Sequence, residues 1–417
     1  MRRLSAFPVY LFMDGALSLL TGMIFTASSL YQVTVAGLTP LQLVLVGTTL
    51  ELSVFLFEVP TGVVADVYSR RLSVIIGMFL IGVGFIVEGT FPIFWVILLA
   101  QILWGVGYTF TSGATQAWIT DEIGEAAAGR AFLRSSQIGQ VASLVGIGLG
   151  ILLGSLRIGL PIQVGGALIA LLGIFLILWM PETEFKPAAS EERSSWQTMA
   201  HTFREGIATV RGRPALLTIL SIGLIYGLYS EGFDRLWTKH ILDQFTFPLA
   251  GRFQPVVWFG GMRAVGMILS VGAAELVQRK VQTERHVAVA RASWAISAVL
   301  VVSLLGFALA KTLLIAMVAY WLISIARNVI GPLYTAWVNQ RLDSRVRATV
   351  LSMSSQVDAI GQVAGGPGVG LIGSWLSVQA ALVASALTLS PVLALYPRAI
   401  RQKGEQPAQV EPAAVDE

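Results

Sequence analysis

Residues Phe57–Arg71 read FEVPTGVVADVYSRR, and this stretch decides how the chain folds. It begins at the end of a long apolar run, passes Gly62 and Asp66, and closes with the adjacent pair Arg70 and Arg71. A second apolar run starts at once. Charged residues between two such runs stay at a membrane surface, because charge inside the hydrocarbon is costly. The stretch therefore predicts two membrane-length helices joined by a tight charged turn.

The composition of the whole chain extends this prediction. The 417 residues are 55% hydrophobic and 12% charged, and the mean hydropathy is +0.73. A soluble domain carries roughly 25% charged residues, and a spanning helix needs about 20 apolar ones. The apolar runs are continuous, which excludes the alternating pattern of a membrane β-barrel. We predict an all-α integral membrane protein with twelve spans, at 7–30, 40–65, 72–90, 93–119, 131–155, 160–180, 214–238, 252–277, 288–309, 312–339, 347–374 and 376–397.

Basic residues favour one side of the predicted membrane. Most Lys and Arg residues fall at the end that holds both termini, whereas the opposite loops hold Arg157, Lys239, Arg252 and Lys311. Positive residues mark the cytoplasmic side. We therefore expect both termini to be cytoplasmic in a multi-pass protein of the inner or plasma membrane. This distribution also explains the basic pI of about 9.4 without a nucleic-acid partner.

The two halves of the chain share short sequence matches. Ala117-Trp118 and Ser135–Gln137 recur as Ala336-Trp337 and Ser354–Gln356, and Asp66, Arg70 and Arg71 correspond to Glu275, Arg279 and Lys280. An internal repeat of this kind is a recurrent plan of transporters. We expect two pseudo-symmetric six-helix bundles, at 1–182 and 214–400. A cytoplasmic linker with an amphipathic helix at 183–213 joins them, and a disordered tail follows at 401–417.

Ionisable residues inside the spans are candidates for function, because each is costly in lipid. Asp14 and Glu58 lie at similar depth on neighbouring helices, and Glu51 lies nearer mid-membrane on the face of Glu58. Two facing carboxylates repel when both are ionised, which favours binding of a proton. We expect Asp14, Glu51 and Glu58 to be proton-coupling candidates. The alternative is that Asp14 bonds a nearby hydroxyl or backbone amide and only locks helices together.

The second half carries its own charged residues. We expect Arg327 to pair with Asp358, either as a structural ion pair or as a substrate contact. Near the opposite end, Glu231, Asp234 and Arg235 are expected to pair with Arg263 and to form an extracellular gate.

Aromatic stripes suggest a substrate cavity for amphipathic or cationic organic molecules, which bind aromatic rings by stacking and cation–π attraction. Plain packing is the alternative for each stripe. The cavity candidates are Trp104, Tyr108, Tyr226, Tyr229, Phe233, Arg327, Tyr334 and Asp358.

The sequence offers little for catalysis. It has no cysteine, and its three histidines, His201, His240 and His286, show no metal-ligand spacing. It contains no phosphate-binding loop pattern either. We expect neither an enzyme nor a metal or other cofactor.

The pattern Gly62-x3-Asp66-x2-Ser69-Arg70-Arg71 resembles the cytoplasmic loop signature of the major facilitator superfamily, although Val67 and Ser69 depart from it. The resemblance implies two bundles that rock about a central cavity. It also implies a conformational latch, in which Asp66 caps the start of the eleventh span near 347–350. The latch residues are Gly62, Asp66, Arg70, Arg71, Glu275 and Arg279.

Within that superfamily the chain resembles bacterial drug/proton antiporters of the macrolide and tetracycline efflux type. Gln101 stands where those exporters usually carry an arginine, and the antiporter signature of the fifth helix is missing. The resemblance implies a secondary transporter, most simply a monomer in the lipid bilayer, that exports drug-like or lipophilic molecules in exchange for protons and confers antibiotic resistance. One alternative is an exporter or flippase of a defined metabolite, such as a siderophore or lysophospholipid, gripped by Arg327. Another is a receptor or membrane enzyme on a transport fold.

Overall fold

A computed structural model describes residues 5–187, 214–248, 253–281, 286–339 and 344–401. Within these ranges the regular structure is entirely helical. The helices are α1 (Ala6–Thr34), α2 (Pro40–Val67), α3 (Arg70–Thr90), α4 (Phe94–Thr111), α5 (Ala114–Ile123), α6 (Glu125–Leu156), α7 (Leu160–Trp179), α8 (Pro214–Gln244), α9 (Pro255–Lys280), α10 (His286–Ala308), α11 (Leu313–Asn339), α12 (Ser344–Trp375), α13 (Val378–Leu389) and α14 (Val392–Arg401). Nearly all of the predicted linker helix and tail lie outside the described residues.

Local signals begin and end these helices where the sequence predicts. Thr39 and Gln42 form a reciprocal capping box at the start of α2, which satisfies backbone amides that the helix leaves unpaired. Ser69 caps α3 by accepting a hydrogen bond from the Leu72 amide at 2.9 Å. The fourth span is broken into α4 and α5 at Gly113, whose φ of +70° is readily adopted only by glycine.

Eleven of the twelve predicted spans are long and apolar enough to cross a membrane among the described residues. The fourth combines α4 with α5, and the last combines α13 with α14. The remaining span, α12, is 32 residues long but carries Asp358, several polar side chains and a run of glycines. It packs on α8 and α13 of its own bundle and on α2 of the first bundle.

The helices form two bundles. In the first, α1 packs on α6 and α3 packs on α4 and α7; in the second, α8 packs on α12 and α10 on α11. The repeated Ala-Trp motif has one role in both. The Trp118 indole is buried and donates to the Pro181 carbonyl at 2.7 Å, and buried Trp337 packs on Tyr396 with 5.3 Å between ring centroids. Each tryptophan fastens the fourth span of its half to the sixth.

Glycines set how closely the helices approach. A Cβ on Gly361 would lie 2.6 Å from the Leu224 carbonyl oxygen of α8. A Cβ on Gly366 would lie 2.7 Å from the Thr48 hydroxyl of α2, in the other half. Small residues allow such contact between membrane helices. One face of α12 therefore packs on its own bundle and another on the first bundle.

The two halves contact each other at one end. We call the end where α1 begins and α14 finishes the terminal side, and the other end the far side. Three hydrogen bonds described by the structure join the halves toward the far side: Leu41 N to Ser374 Oγ (3.0 Å), Gln254 Nε2 to Ser155 O (2.9 Å) and Arg263 Nη1 to Phe25 O (2.6 Å).

Toward the terminal side the same faces are exposed. Ile151 of α6 packs on Gly260 of α9 in the other half. Gln140 lies about three turns earlier on the same face of α6, yet its side chain is exposed. An amide at this depth is tolerated where it borders water rather than lipid. We therefore expect a cleft between the halves that opens to the terminal side.

Gly361→Ala tests the close packing of α12 on α8. The new methyl group meets backbone, which cannot swing away, so we expect a loss of about 1–3 kcal/mol in stability. Gly368→Ala on the same helix is the control, because no atom lies within 4 Å of its Cβ position. Thermal unfolding midpoints in detergent check this. Equal midpoints for the two variants would contradict the packing described.

Cysteine labelling tests the cleft, since the native chain has no cysteine. We expect Gln140→Cys to react rapidly with a water-soluble maleimide in nanodiscs. Thr48→Cys, buried between the halves, and Leu152→Cys, exposed on the outer surface of α6, should react at least tenfold more slowly. Comparable rates at residues 140 and 48 would show that the cleft is not open.

Candidate functional site

The charged turn after α2 is fastened within the first bundle. Arg70 forms an ion pair with Asp121 of α5 and donates to the Ala117 carbonyl at 2.9 Å. Beyond α7, Glu182 accepts hydrogen bonds from the Ser69 hydroxyl at 2.6 Å and the Arg71 amide at 2.8 Å. The turn thus ties α2 and α3 to the fourth and sixth spans.

The structure describes only part of the predicted latch. Asp66 is half-buried and has no hydrogen bond or ion pair among the described residues. The side chains near 347–350, its expected partners, lie outside the described residues. In the second half, Arg279 pairs with Glu275 on its own helix at 2.8 Å, and both side chains are exposed.

Asp14 and Glu58 are not brought together. Asp14 accepts a short hydrogen bond from the Ser135 hydroxyl of α6, which is the helix-locking arrangement that the sequence left open. Glu58 is exposed on the surface of α2. The facing carboxylate pair expected from their depth is therefore absent, because α1 packs mainly on α6 and α7.

Glu51 has a different environment from Glu58. It lies one turn after Gly47 on α2, where a Cβ on Gly47 would collide with Glu231 and Arg235 of α8. Those two side chains form an ion pair with 3.2 Å between Nε and Oε2. Glu51 lies within electrostatic range of this pair and of Asp234 and Asp358. Across the contact between halves, one carboxylate of the first bundle therefore faces the charges of the second.

The expected pairing of Arg327 with Asp358 is wrong. Arg327 binds both oxygens of Asp234 on α8, with Nη2 to Oδ2 at 2.7 Å. Asp358 instead accepts a hydrogen bond from Gln362 on its own helix at 2.8 Å. The expected gate with Arg263 is also wrong, because Arg263 donates to the Phe25 carbonyl of α1 at 2.6 Å. Instead, Glu231 pairs with Arg235 on the same helix, and Asp234 pairs with Arg327 of α11.

A cavity of about 490 Å³ lies beside these charges. It is bordered by α8, α11 and α12, and its lining is mostly polar and aromatic. The lining residues are Gly223, Tyr226, Tyr229, Ser230, Asp234, Arg327, Ile330, Gly331, Tyr334, Thr335, Val338, Ser354, Ser355, Asp358 and Gln362. A volume of this size suits a drug-sized ligand.

Some of the aromatic candidates lie at the cavity and others pack elsewhere. Tyr226, Tyr229 and Tyr334 line the cavity, and Phe233 packs beneath Arg327 with its ring centroid 5.9 Å from the guanidinium carbon. Trp104 instead packs in the first bundle, 5.1 Å from Phe85 between ring centroids. The stripe on α8 therefore contributes to the cavity.

The stripe on α4 does not reach it. Tyr108 is 49% exposed and does not line the cavity. Trp104 and Tyr108 of the first bundle are therefore not part of the lining, which comes from helices of the second bundle.

Sequence reasoning missed Glu88. This carboxylate is buried in α3 and accepts hydrogen bonds from Ser28 (2.9 Å) and Gln32 (2.8 Å) of α1 and from Gln101 (3.0 Å) of α4. It is the one acidic residue of the span 72–90, so a survey of every charge inside a span would have found it. Gln101 serves here as a neutral donor.

The chain matches a known family over most of its length. A family model described as the Major Facilitator Superfamily matches residues 7–297, which is more than half of the chain. The chain belongs to the major facilitator superfamily. It is a multi-pass membrane transporter with the fold expected from its sequence.

A relative of this transporter carries the same family assignment. It is 24% identical over 363 residues to the uncharacterized MFS-type transporter YxaM of Bacillus subtilis (strain 168), covering 85% of this chain and 86% of that one.

Solved structures show the same fold. The nucleoside transporter NupG has a TM-score of 0.73 and 14% identity, covering 95% of this chain and 100% of that one. A bacterial homologue of the human lysosomal transporter Spinster, in an inward-facing, unoccupied conformation, has a TM-score of 0.72 and 14% identity, covering 95% and 96%.

The pairing of Asp234 with Arg327 predicts an asymmetry between two carboxylates of the transporter. Asp234→Asn leaves Arg327 without an anionic partner, and because the pair is 30–39% exposed we expect a loss of about 1–3 kcal/mol, below the range for fully buried pairs. Asp358→Asn should cost less, since an asparagine oxygen still accepts from Gln362. Thermal unfolding measures both. The double variant Asp234→Asn with Arg327→Gln should recover stability, and failure to do so would contradict the pairing.

Proposed function

We propose that this transporter exports amphipathic, drug-like molecules in exchange for protons. The observation that carries the proposal is the cavity of the second bundle, lined by tyrosines beside a group of membrane-embedded charges. Aromatic walls with a few polar groups suit drug-sized organic solutes. The family match shows that the chain is a transporter of the superfamily.

Proton coupling is proposed to occur at Glu51. The groups facing it are Glu231, Asp234 and Asp358, with Arg235 as the nearby cation. With Arg327, this makes four carboxylates against two guanidiniums. Like charges in a low-dielectric contact are unfavourable. A proton that Glu51 takes up while the halves are apart on the far side relieves this repulsion when they meet there. The proton then leaves through the cleft on the terminal side.

The direction of transport is proposed from topology. The positive residues place the terminal side in the cytoplasm, so the cleft that opens there loads its cargo from inside the cell. In the outward-open state we propose that Asp66 closes the latch against the start of α12. Protons entering from outside then drive the return of the empty transporter.

The alternative of an anionic metabolite gripped by Arg327 is less well supported. Both oxygens of Asp234 already engage this guanidinium. An anionic head group would have to displace that carboxylate and leave it unpaired, which is costly. The pairing therefore favours a substrate that does not need Arg327.

Flux measurements in proteoliposomes test the proposal. We expect an imposed pH gradient to accelerate transport of a lipophilic fluorescent drug, and Glu51→Gln to abolish that acceleration because it cannot ionise. Glu58→Gln is the matched control. It should keep the acceleration, because the Glu58 side chain is exposed and lies apart from the charges that surround Glu51. Flux indifferent to the gradient in the native protein refutes proton coupling. If only Glu58→Gln loses the acceleration, the proton site is Glu58 rather than Glu51.

A further inference from the structure

We infer that the cavity of the second bundle is a binding site for the positively charged group of an organic cation, with Asp358 as its charge partner. This rests on the proposed function and names the substrate class of the same site. The cavity is bordered by Asp234, Arg327 and Asp358 as its charged residues.

Charge balance within the cavity leaves one negative charge. Asp234 and Arg327 cancel each other through a two-point ion pair. Asp358 is held by the neutral amide of Gln362, at 2.8 Å, and no ion pair engages it among the described residues. A carboxylate bordering a cavity with a neutral hydrogen-bond donor as its partner attracts a cation. The second carboxylate in range on α2, Glu51, strengthens the negative potential when it is ionised.

Two of the three tyrosines of the cavity have hydroxyls that are already engaged. The Tyr334 hydroxyl donates to the Ile219 carbonyl at 3.0 Å and lies 3.1 Å from Ser354 Oγ. The Tyr226 hydroxyl lies 2.6 Å from Ser297 Oγ on α10. Since these hydroxyls are already bonded, the rings remain as the contact surface.

These rings are grouped as an aromatic wall. Centroids of Tyr226 and Tyr229 are 6.1 Å apart, and those of Tyr226 and Tyr334 are 6.5 Å apart. Ring faces attract ammonium groups, and the attraction grows when the group is desolvated. Arg327 already lies 6.0 Å from the Tyr229 ring centroid, so Tyr226 and Tyr334 are the rings left for a ligand. Together with the carboxylate of Asp358, they select an amphipathic amine or quaternary ammonium ion over a neutral molecule of the same shape.

Three matched probes test the inference on the full-length protein in nanodiscs. Each carries a dansyl fluorophore on the same linker, and the linker ends in a trimethylammonium group, its neutral tert-butyl isostere or a carboxylate. We expect the ammonium probe to bind at least tenfold more tightly than the isostere, and the carboxylate probe to bind most weakly. Equal affinities of the ammonium and tert-butyl probes would overturn the inference.

Variants locate the preference. Asp358→Asn should reduce the ammonium preference to less than threefold, and Asp358→Glu should retain most of it. Asp243→Asn is the matched control, because this carboxylate lies on α8 outside the cavity, paired with Lys239 at 3.2 Å. A preference that survives in Asp358→Asn would overturn the assignment.

Binding and transport fail separately in this design. The titrations use no gradient, so they do not depend on proton coupling. If the ammonium preference requires Asp358 but flux ignores a pH gradient, the cation site stands and the proposed antiport falls. If flux is coupled to protons but the probes bind alike, the antiport stands and the cation site falls.

Discussion

Placing charge inside a membrane bundle is the constraint on which this structure depends. A carboxylate or guanidinium in lipid needs a partner, and α8 meets that need in two ways. Arg235 pairs with Glu231 one turn away, whereas Asp234 reaches across to Arg327 of α11. The first pair faces α2 of the other half, and the second borders the cavity. One helix therefore connects the contact between the halves with the cavity.

The glycines of α12 make this arrangement possible. Gly361 and Gly365 bring α12 against α8, and Gly366 and Gly370 bring it against α2. Close approach on two faces excludes bulky apolar side chains, which is why the helix is the most polar of the twelve spans. It also brings Asp358 beside Asp234 and Arg327 and within electrostatic range of Glu51. The same glycines thus allow α12 to pack closely and bring Asp358 to the cavity.

The two bundles treat their buried acids differently despite the internal repeat. In the first bundle, Glu88 is satisfied by three neutral donors from α1 and α4, and Asp14 by the Ser135 hydroxyl. In the second, the acids of α8 are paired with arginines, and Asp358 is held by an amide. Neutral hydrogen bonds lock helices together, whereas ion pairs beside a cavity respond to a charged ligand or a proton. The repeat preserves the scaffold, whereas the cavity and the ion pairs beside it lie in the second half.

The sequence by itself determined the membrane class, the family and the approximate positions of the spans, eleven of which are long and apolar enough to cross a membrane among the described residues. Apolar length and the Gly62–Arg71 pattern are local signals. It also identified five of the fifteen residues that line the cavity, namely Tyr226, Tyr229, Arg327, Tyr334 and Asp358. Only the tertiary structure decided which charges meet: Arg327 with Asp234 rather than Asp358, Arg263 with a backbone carbonyl, and Asp14 with Ser135 rather than Glu58. Depth along a helix can be counted from the sequence, but the direction of a side chain around the bundle depends on which helices pack together. Those contacts are set by glycines far apart in the chain, and no local pattern records them.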